Sequence, residues 1–283
     1  MPCMVVDNNI QIGFNGRFFP SNWRPALDEL GFAQTNGFLA LQFPGKEDGL
    51  MAEHLGDELP IIRNALASAG ITAVMEIIVL VDGTGCTTSG DTPLDILTAN
   101  LPAILSLPCR YVHWHLVPSI LMDAETARAL EEKLLPQFSA GVALANNYNF
   151  GLGLEHNEPD LLLFGTPESC AQALAAVPGL GFVWDFNHTI PDHIDAFQTL
   201  VPVMNMLHVS DTPLPEVNYH LPLGLGTIEL VDYCRALRAG NFAGPAILEI
   251  GGLPKSGGYG RDTDGALVDS ATRLKQANEA SAW

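Results

Sequence analysis

Short, continuous apolar runs recur along the chain, and stretches with helical periodicity separate them. The runs are NIQIGF (9–14), GFLALQF (37–43), ITAVMEIIVL (71–80), RYVHWHLV (110–117), FGLGLEH (150–156), LGFVWDF (180–186), VMNMLHVSD (203–211) and GPAILEIGG (244–252). A run that is apolar at successive positions, rather than at alternate ones, suits a strand of a parallel sheet covered on both faces. A helix signal follows each run. In LGDELPIIRNALASAG, for example, Leu59, Ile62 and Leu66 fall at helical spacing. Ser21, the pair Thr166-Pro167 and Asp192 stand where helices begin, and Glu168 adds negative charge to a first turn. Eight strand–helix units, with no linker and no low-complexity tract, predict a single α/β domain over residues 1–283. That number of units in this length suits a closed (β/α)8 TIM barrel better than an open sheet.

In such a barrel, chemistry sits at the C-terminal ends of the strands. The fifth run ends on Glu155, the sixth on Asp185, the seventh on His208 and the eighth on Glu249. A single acid there could cap a helix or pair with an arginine. Four successive strand ends converging on one side of the mouth need a shared neutraliser, because only 13 Lys and Arg are available in the whole chain. One divalent metal ion answers that need. Three carboxylates and an imidazole suit Mn²⁺, Mg²⁺, Co²⁺ or Zn²⁺, and the imidazole disfavours Ca²⁺. Open coordination positions would polarise substrate oxygens.

Composition then narrows the partners. Thirteen basic against 32 acidic residues give a net charge of −19. Such a chain repels phosphate backbones and anionic bilayers, so neither nucleic acid nor a membrane is expected as a partner. A small-molecule substrate is, and a homo-oligomer is compatible with all of this. Cys3, Cys86, Cys109, Cys170 and Cys234 are odd in number and form no C-x-x-C pair, so they read as free thiols of a reducing compartment. MPCMVVDNNIQIGF has neither the basic segment nor the apolar core of a signal peptide, and no run reaches transmembrane length. The expectation is a cytoplasmic protein.

The segments LGLEHN, GFVWDFNHT, LHVSD, HLPLGLG and ILEIGG resemble the xylose isomerase-like barrel superfamily, which includes sugar isomerases, sugar 3-epimerases, inosose dehydratases and endonuclease IV. The resemblance implies that Glu155, Asp185, His208 and Glu249 are metal ligands, and that His188 contacts substrate and takes part in catalysis. In the ketose 3-epimerases, the glutamates matching Glu155 and Glu249 also exchange the substrate proton. The implied reaction is isomerisation or epimerisation of a small keto sugar or polyol-derived compound through an enediolate, with a glutamate as base and the metal as electrophile. Substrate-binding candidates are His188, His115, Glu76, His220 and Asp211. His113 and His115 share one face of a strand, and each could equally be a barrel-filling histidine. Asp211 could touch metal, substrate or only His208. Two rivals stay open. The His208–Asp211 arrangement, with Leu214 where the 3-epimerases carry an arginine, resembles dehydratases or generic isomerase/epimerase homologues. A catalytically silent barrel used for binding is the alternative of another class. The nuclease branch is disfavoured: the third run has no histidine, and Asn218-Tyr219-His220 lacks the aspartate of the nuclease's pair. His54 and His193 are expected on helix surfaces, and His156 and Glu158 either as partners that support the site residues or as solvated loop residues. Lys255 and Arg261 lie in PKSGGYGRDTD, where they could grip an acidic substrate group or offset the local negative charge.

Overall fold

A computed structural model describes residues 10–20, 22–251 and 261–282. The apolar runs become eight strands: β1 (Gln11–Asn15), β2 (Ala40–Pro44), β3 (Thr72–Val81), β4 (Tyr111–Pro118), β5 (Gly151–Glu155), β6 (Gly181–Asp185), β7 (Met204–Val209) and β8 (Pro245–Leu248). Each strand pairs in parallel with its neighbours, and β8 closes onto β1. The expected TIM barrel is therefore the observed fold. Between the strands run α1 (Ala26–Asn36), α2 (Ala52–Leu55), α3 (Leu59–Ala69), α4 (Pro93–Ser106), α5 (Ala124–Tyr148), α6 (Pro167–Ala176), α7 (Ile194–Gln198), α8 (Leu230–Ala239) and, after β8, α9 (Asp264–Ala280).

The helix starts have local causes. Thr166 accepts from the Ser169 amide and Pro167 occupies the first turn of α6, as its sequence predicts. Thr92 and Asp95 form a capping box at α4, and Asp123 and Thr263 cap α5 and α9. The segment after β6 departs from expectation. PDHIDAFQTLV makes a 3₁₀ turn over Pro191–His193 and then only the short α7, so Asp192 lies inside a turn rather than at a cap. His54 and His193 are half-buried rather than exposed, with His193 against Phe197. Ser21 and Lys255 lie outside the described residues.

Two apolar regions hold the barrel. The larger fills the space between sheet and helices, with Trp114, Trp184, Phe138 and Phe182 fully buried. The smaller lies within the barrel and consists of Ala40, Val74, Val183, Met206 and Ile247, with Tyr111 against it. Side chains alternate along a strand, so the next residue on the same face lies two positions on, about 6.5 Å nearer the mouth. Those residues are Gln42, Glu76, Asp185, His208 and Glu249, with His113 above Tyr111. The polar site is thus one layer above an apolar plug.

Candidate metal centre

Parallel pairing aligns the site residues two by two. His115 of β4 is in register with Glu155 of β5, and Asp185 of β6 with His208 of β7. Glu249 follows directly after β8. One ligand atom from each of Glu155, Asp185, His208 and Glu249 lies within 4.8 Å of all the others. His208 Nδ1 stands 2.9 Å from Glu155 Oε1 and 3.1 Å from Glu249 Oε2. Glu155, Asp185 and His208 are 0 % exposed, whereas the Glu249 side chain is 15 % exposed and faces the mouth.

Hydrogen bonding leaves this set incomplete. Asp185 Oδ1 accepts from the Asn187 amide at 2.7 Å, which turns the chain into a 3₁₀ turn over Phe186–His188. Asp185 Oδ2 and Glu155 Oε2 are buried and make no hydrogen bond among the described residues. His113 Nε2 approaches Glu155 Oε2 at 3.0 Å but without hydrogen-bond geometry. Carboxylate oxygens buried this way cost free energy unless a cation meets them. The donor set and its orphaned oxygens fit a divalent ion.

The electrostatics say the same. Burial would lower the pKa of His208, but Glu155 and Glu249 overturn it and hold the imidazole well above its ordinary range. Burial would raise Glu155, and His208 and His115 hold it well below the usual carboxylate range instead. Glu249 is lowered against its burial by His208, with help from His220. The raised His208 and His115 imidazoles thus set positive charge against these carboxylates.

Three imidazoles ring the mouth above these residues. His188 Nδ1 donates to the His156 carbonyl at 3.1 Å, which points Nε2 toward Asp185 Oδ2, 3.4 Å away. His115 lies 5.4 Å from His188 between ring centres, and His220 lies 5.9 Å from it. His115 Nδ1 faces Glu76 Oε1 at 3.5 Å and Glu155 Oε2 at 3.7 Å. Burial would lower its pKa, but Glu155 and Glu76 raise it to about 10. His220 has φ +50°, a left-handed backbone, and its Nδ1 donates to the Glu249 carbonyl at 2.9 Å. Asn187 holds that turn, because its Oδ1 accepts from the amides of Tyr219 and His220.

Glu76 is brought to the floor of the site, where it meets Gln42 and His115. Asp211 is turned to the backbone of the loop that follows it. Its Oδ1 accepts from the amides of Thr212 and Ile228, and its Oδ2 from that of Gly224. Both oxygens are committed to the loop after β7. Gly226 is required there, because a Cβ would collide with the Asp211 carboxylate and the Thr212 carbonyl. His156 is fully buried, not solvated: its ring is wedged against the backbone of Asp185, and burial with the nearby His188 pushes its pKa down to about 3. Glu158 is half-buried and accepts from Asn218, whose own oxygen meets His220. Arg261 is engaged within the fold, and Asp262 and Asp264 of the same segment bind Asn22, Arg17 and Arg24. Sequence reasoning missed Gln42, Asn157 and Asn187. Gln42 had a signal: it is the one polar residue in GFLALQF.

A profile described as xylose isomerase-like TIM barrel matches residues 30–276. No curated protein matches the sequence. Among solved structures, L-ribulose 3-epimerase superposes with a TM-score of 0.74 at 14% identity, covering 96% of this chain and 95% of that one. The IOLI protein with a binding zinc atom gives 0.75 at 18% identity, covering 95% and 98%. An AP endonuclease of family 2 from Brucella melitensis gives 0.66 at 15%, covering 93% and 98%. At these identities the superpositions establish the fold. No helix among the described residues is long and apolar enough to cross a membrane.

Proposed function

Because the chain belongs to the xylose isomerase-like TIM barrel family, we propose that it is a divalent-metal-dependent isomerase or epimerase of a small keto sugar or polyol-derived compound. One observation carries the reading: four converging ligand atoms, two of whose residues keep a buried carboxylate oxygen without a hydrogen bond. The folds shared with L-ribulose 3-epimerase and the zinc-bound IOLI protein support it.

Glu155, Asp185, His208 and Glu249 would hold the ion. When bound, it supplies Lewis-acid polarisation of a substrate carbonyl oxygen. The proton chemistry belongs to the protein. Glu155 and Glu249 approach His208 Nδ1 from two carboxylates and are both held ionised. The ionised one accepts the proton from the carbon beside the carbonyl, giving an enediolate; the other returns a proton that it has first taken up from solvent, and the first then releases its proton to solvent to close the cycle. Return to the opposite face of the same carbon epimerises, and return to the neighbouring carbon isomerises. Asp185 is not part of this exchange, since one oxygen is spent on the Asn187 amide and the other on charge. His188 takes its place in catalysis through substrate: Nδ1 is anchored on a carbonyl, so Nε2 is the nitrogen aimed at the site. His115 and His220 stand on either side of it and line the substrate space with their ring faces, since both nitrogens of each already face protein oxygens.

The test is incubation of the Mn²⁺-loaded and metal-stripped protein with a panel of ketoses and keto-polyols in D₂O. The expected result is metal-dependent deuterium uptake with an isomeric product. Loss of water in place of exchange would make the enzyme a dehydratase, and no metal-dependent change on any substrate would overturn the reading.

A further inference from the structure

Below the His208 nitrogen that lies between Glu155 and Glu249 runs a short line of polar contacts with a fixed direction. His208 Nε2 lies 2.9 Å from Gln42 Oε1, and Gln42 Nε2 donates to Glu76 Oε2 at 3.0 Å. Glu76 Oε1 faces His115 Nδ1 at 3.5 Å. The far nitrogen of His115, Nε2, meets Asn157 Oδ1 at 3.0 Å. Asn157 is itself pinned, because its Nδ2 donates to the carbonyls of Leu116 and Leu163 at 2.8 and 2.7 Å. Gln42 is 0 % exposed and Glu76 4 % exposed, so neither can turn to water.

Each member constrains the next. A carboxylate only accepts, so the Glu76 oxygen requires the NH₂ end of the Gln42 amide. That leaves the Gln42 carbonyl oxygen for His208. An amide oxygen also only accepts, so the nitrogen opposite it, Nε2, must carry the proton. Neutral imidazole has one N–H, and with Nε2 protonated the lone pair is on Nδ1. Nδ1 is the nitrogen between Glu155 and Glu249.

Taking the four residues proposed above as holders of a cation, we infer that Gln42, held by Glu76, is a positioning residue that selects Nδ1 of His208 as the coordinating nitrogen. Partners in this position typically change metal affinity about 10–100-fold when removed. Glu76 therefore acts on the metal through two side chains, although it lies on β3 and supplies no ligand atom to the four.

The experiment uses the full chain with Zn²⁺ as the probe and a competing chelator to read affinity. Gln42→Met keeps length, packing and charge but removes the acceptor, and it is expected to bind Zn²⁺ about 10–100-fold more weakly than wild type. The double variant Gln42→Glu/Glu76→Gln reverses the bond between the two side chains while keeping both net charge and an acceptor toward His208. It is expected to restore roughly wild-type affinity. A packing role gives the opposite order, with the Met variant near wild type and the exchanged pair impaired, and that outcome overturns the inference. A second readout needs no variant. In nitrogen-15 histidine spectra of the Zn²⁺-loaded wild type, His208 should carry its proton on Nε2 and metal on Nδ1, and a proton on Nδ1 overturns it. Wild type that binds no Zn²⁺ instead removes the proposed metal centre itself, so the two failures are distinguishable.

Discussion

Two layers of the same barrel interior, two residues apart on the same strands, are built on opposite principles. The lower layer, Ala40, Val74, Val183, Met206 and Ile247, is apolar and buried. Its stability comes from excluded water and close packing. The upper layer, Gln42, Glu76, Asp185, His208 and Glu249, together with His113 and Glu155, holds four carboxylates in a space almost as dry. Its members are tolerated only through each other: imidazoles hold Glu155 and Glu249 ionised, and orphaned oxygens on Asp185 and Glu155 remain. The lower layer is therefore expected to govern folding, and the upper layer to govern what binds. Changes one position apart on a strand face should separate these properties.

The largest effect should come from Asp185→Ala in the upper layer. Metal content is expected to fall from one ion per chain to none, and turnover to background. The metal-free fold should persist, because the change removes a buried carboxylate with an unpaired oxygen. Elemental analysis beside circular dichroism checks this, and a full complement of metal in the variant would refute the assignment. His188→Asn should cut differently. Its Nε2 faces the site but belongs to none of the four ligand atoms, so metal content should stay while kcat falls by roughly 10²–10⁴, the range for one acid–base or orienting side chain. Metal lost in parallel with activity would instead make His188 a ligand.

Much of this contrast is legible in the chain. Val183-Trp184-Asp185, Met206-Leu207-His208 and Ile247-Leu248-Glu249 each step from an apolar residue to a charged or ionisable one on the same face. The strand ends therefore predict the convergence of Glu155, Asp185, His208 and Glu249, while the apolar layer beneath them emerges from the fold. What escaped is what depends on contacts between distant segments. Nothing near Asp211 in sequence reveals that Gly224 and Ile228 would take both its oxygens. His156 looks like a loop residue until the backbone of Asp185 closes over its ring. Asn187 stands inside DFNH, yet its partners Tyr219 and His220 come from the next loop. Amides are hard to assign from sequence because they serve as donor or acceptor, and only the fold decides which.

A smaller effect, of the opposite kind, should follow from a cut in the lower layer. Met206 is fully buried directly beneath His208. Met206→Ala is expected to cost about 2–5 kcal/mol of unfolding free energy through lost burial and the cavity left behind. Urea unfolding measures this, and the comparison sharpens if the folded variant keeps one ion per chain. A variant that unfolds no more easily but loses metal would merge the two layers into one functional unit.

The gentlest probe changes no residue. In the metal-free protein His208 is protonated, because Glu155 and Glu249 outweigh the effect of burial and raise its pKa well above the ordinary value. An ion can use Nδ1 only after that proton leaves. Below the raised pKa each ion bound must release one proton from His208, so affinity should rise about tenfold for each pH unit. Above the raised pKa the dependence should vanish, since His208 is already neutral. The carboxylates add little slope near neutral pH, because Glu155 and Glu249 are held ionised. Chelator competition across neutral pH reads the slope, and calorimetry in buffers of different ionisation enthalpy counts the proton independently. A flat profile with no proton released would mean that His208 is neutral before the ion arrives, and that His115, raised to about 10, meets the carboxylates without it.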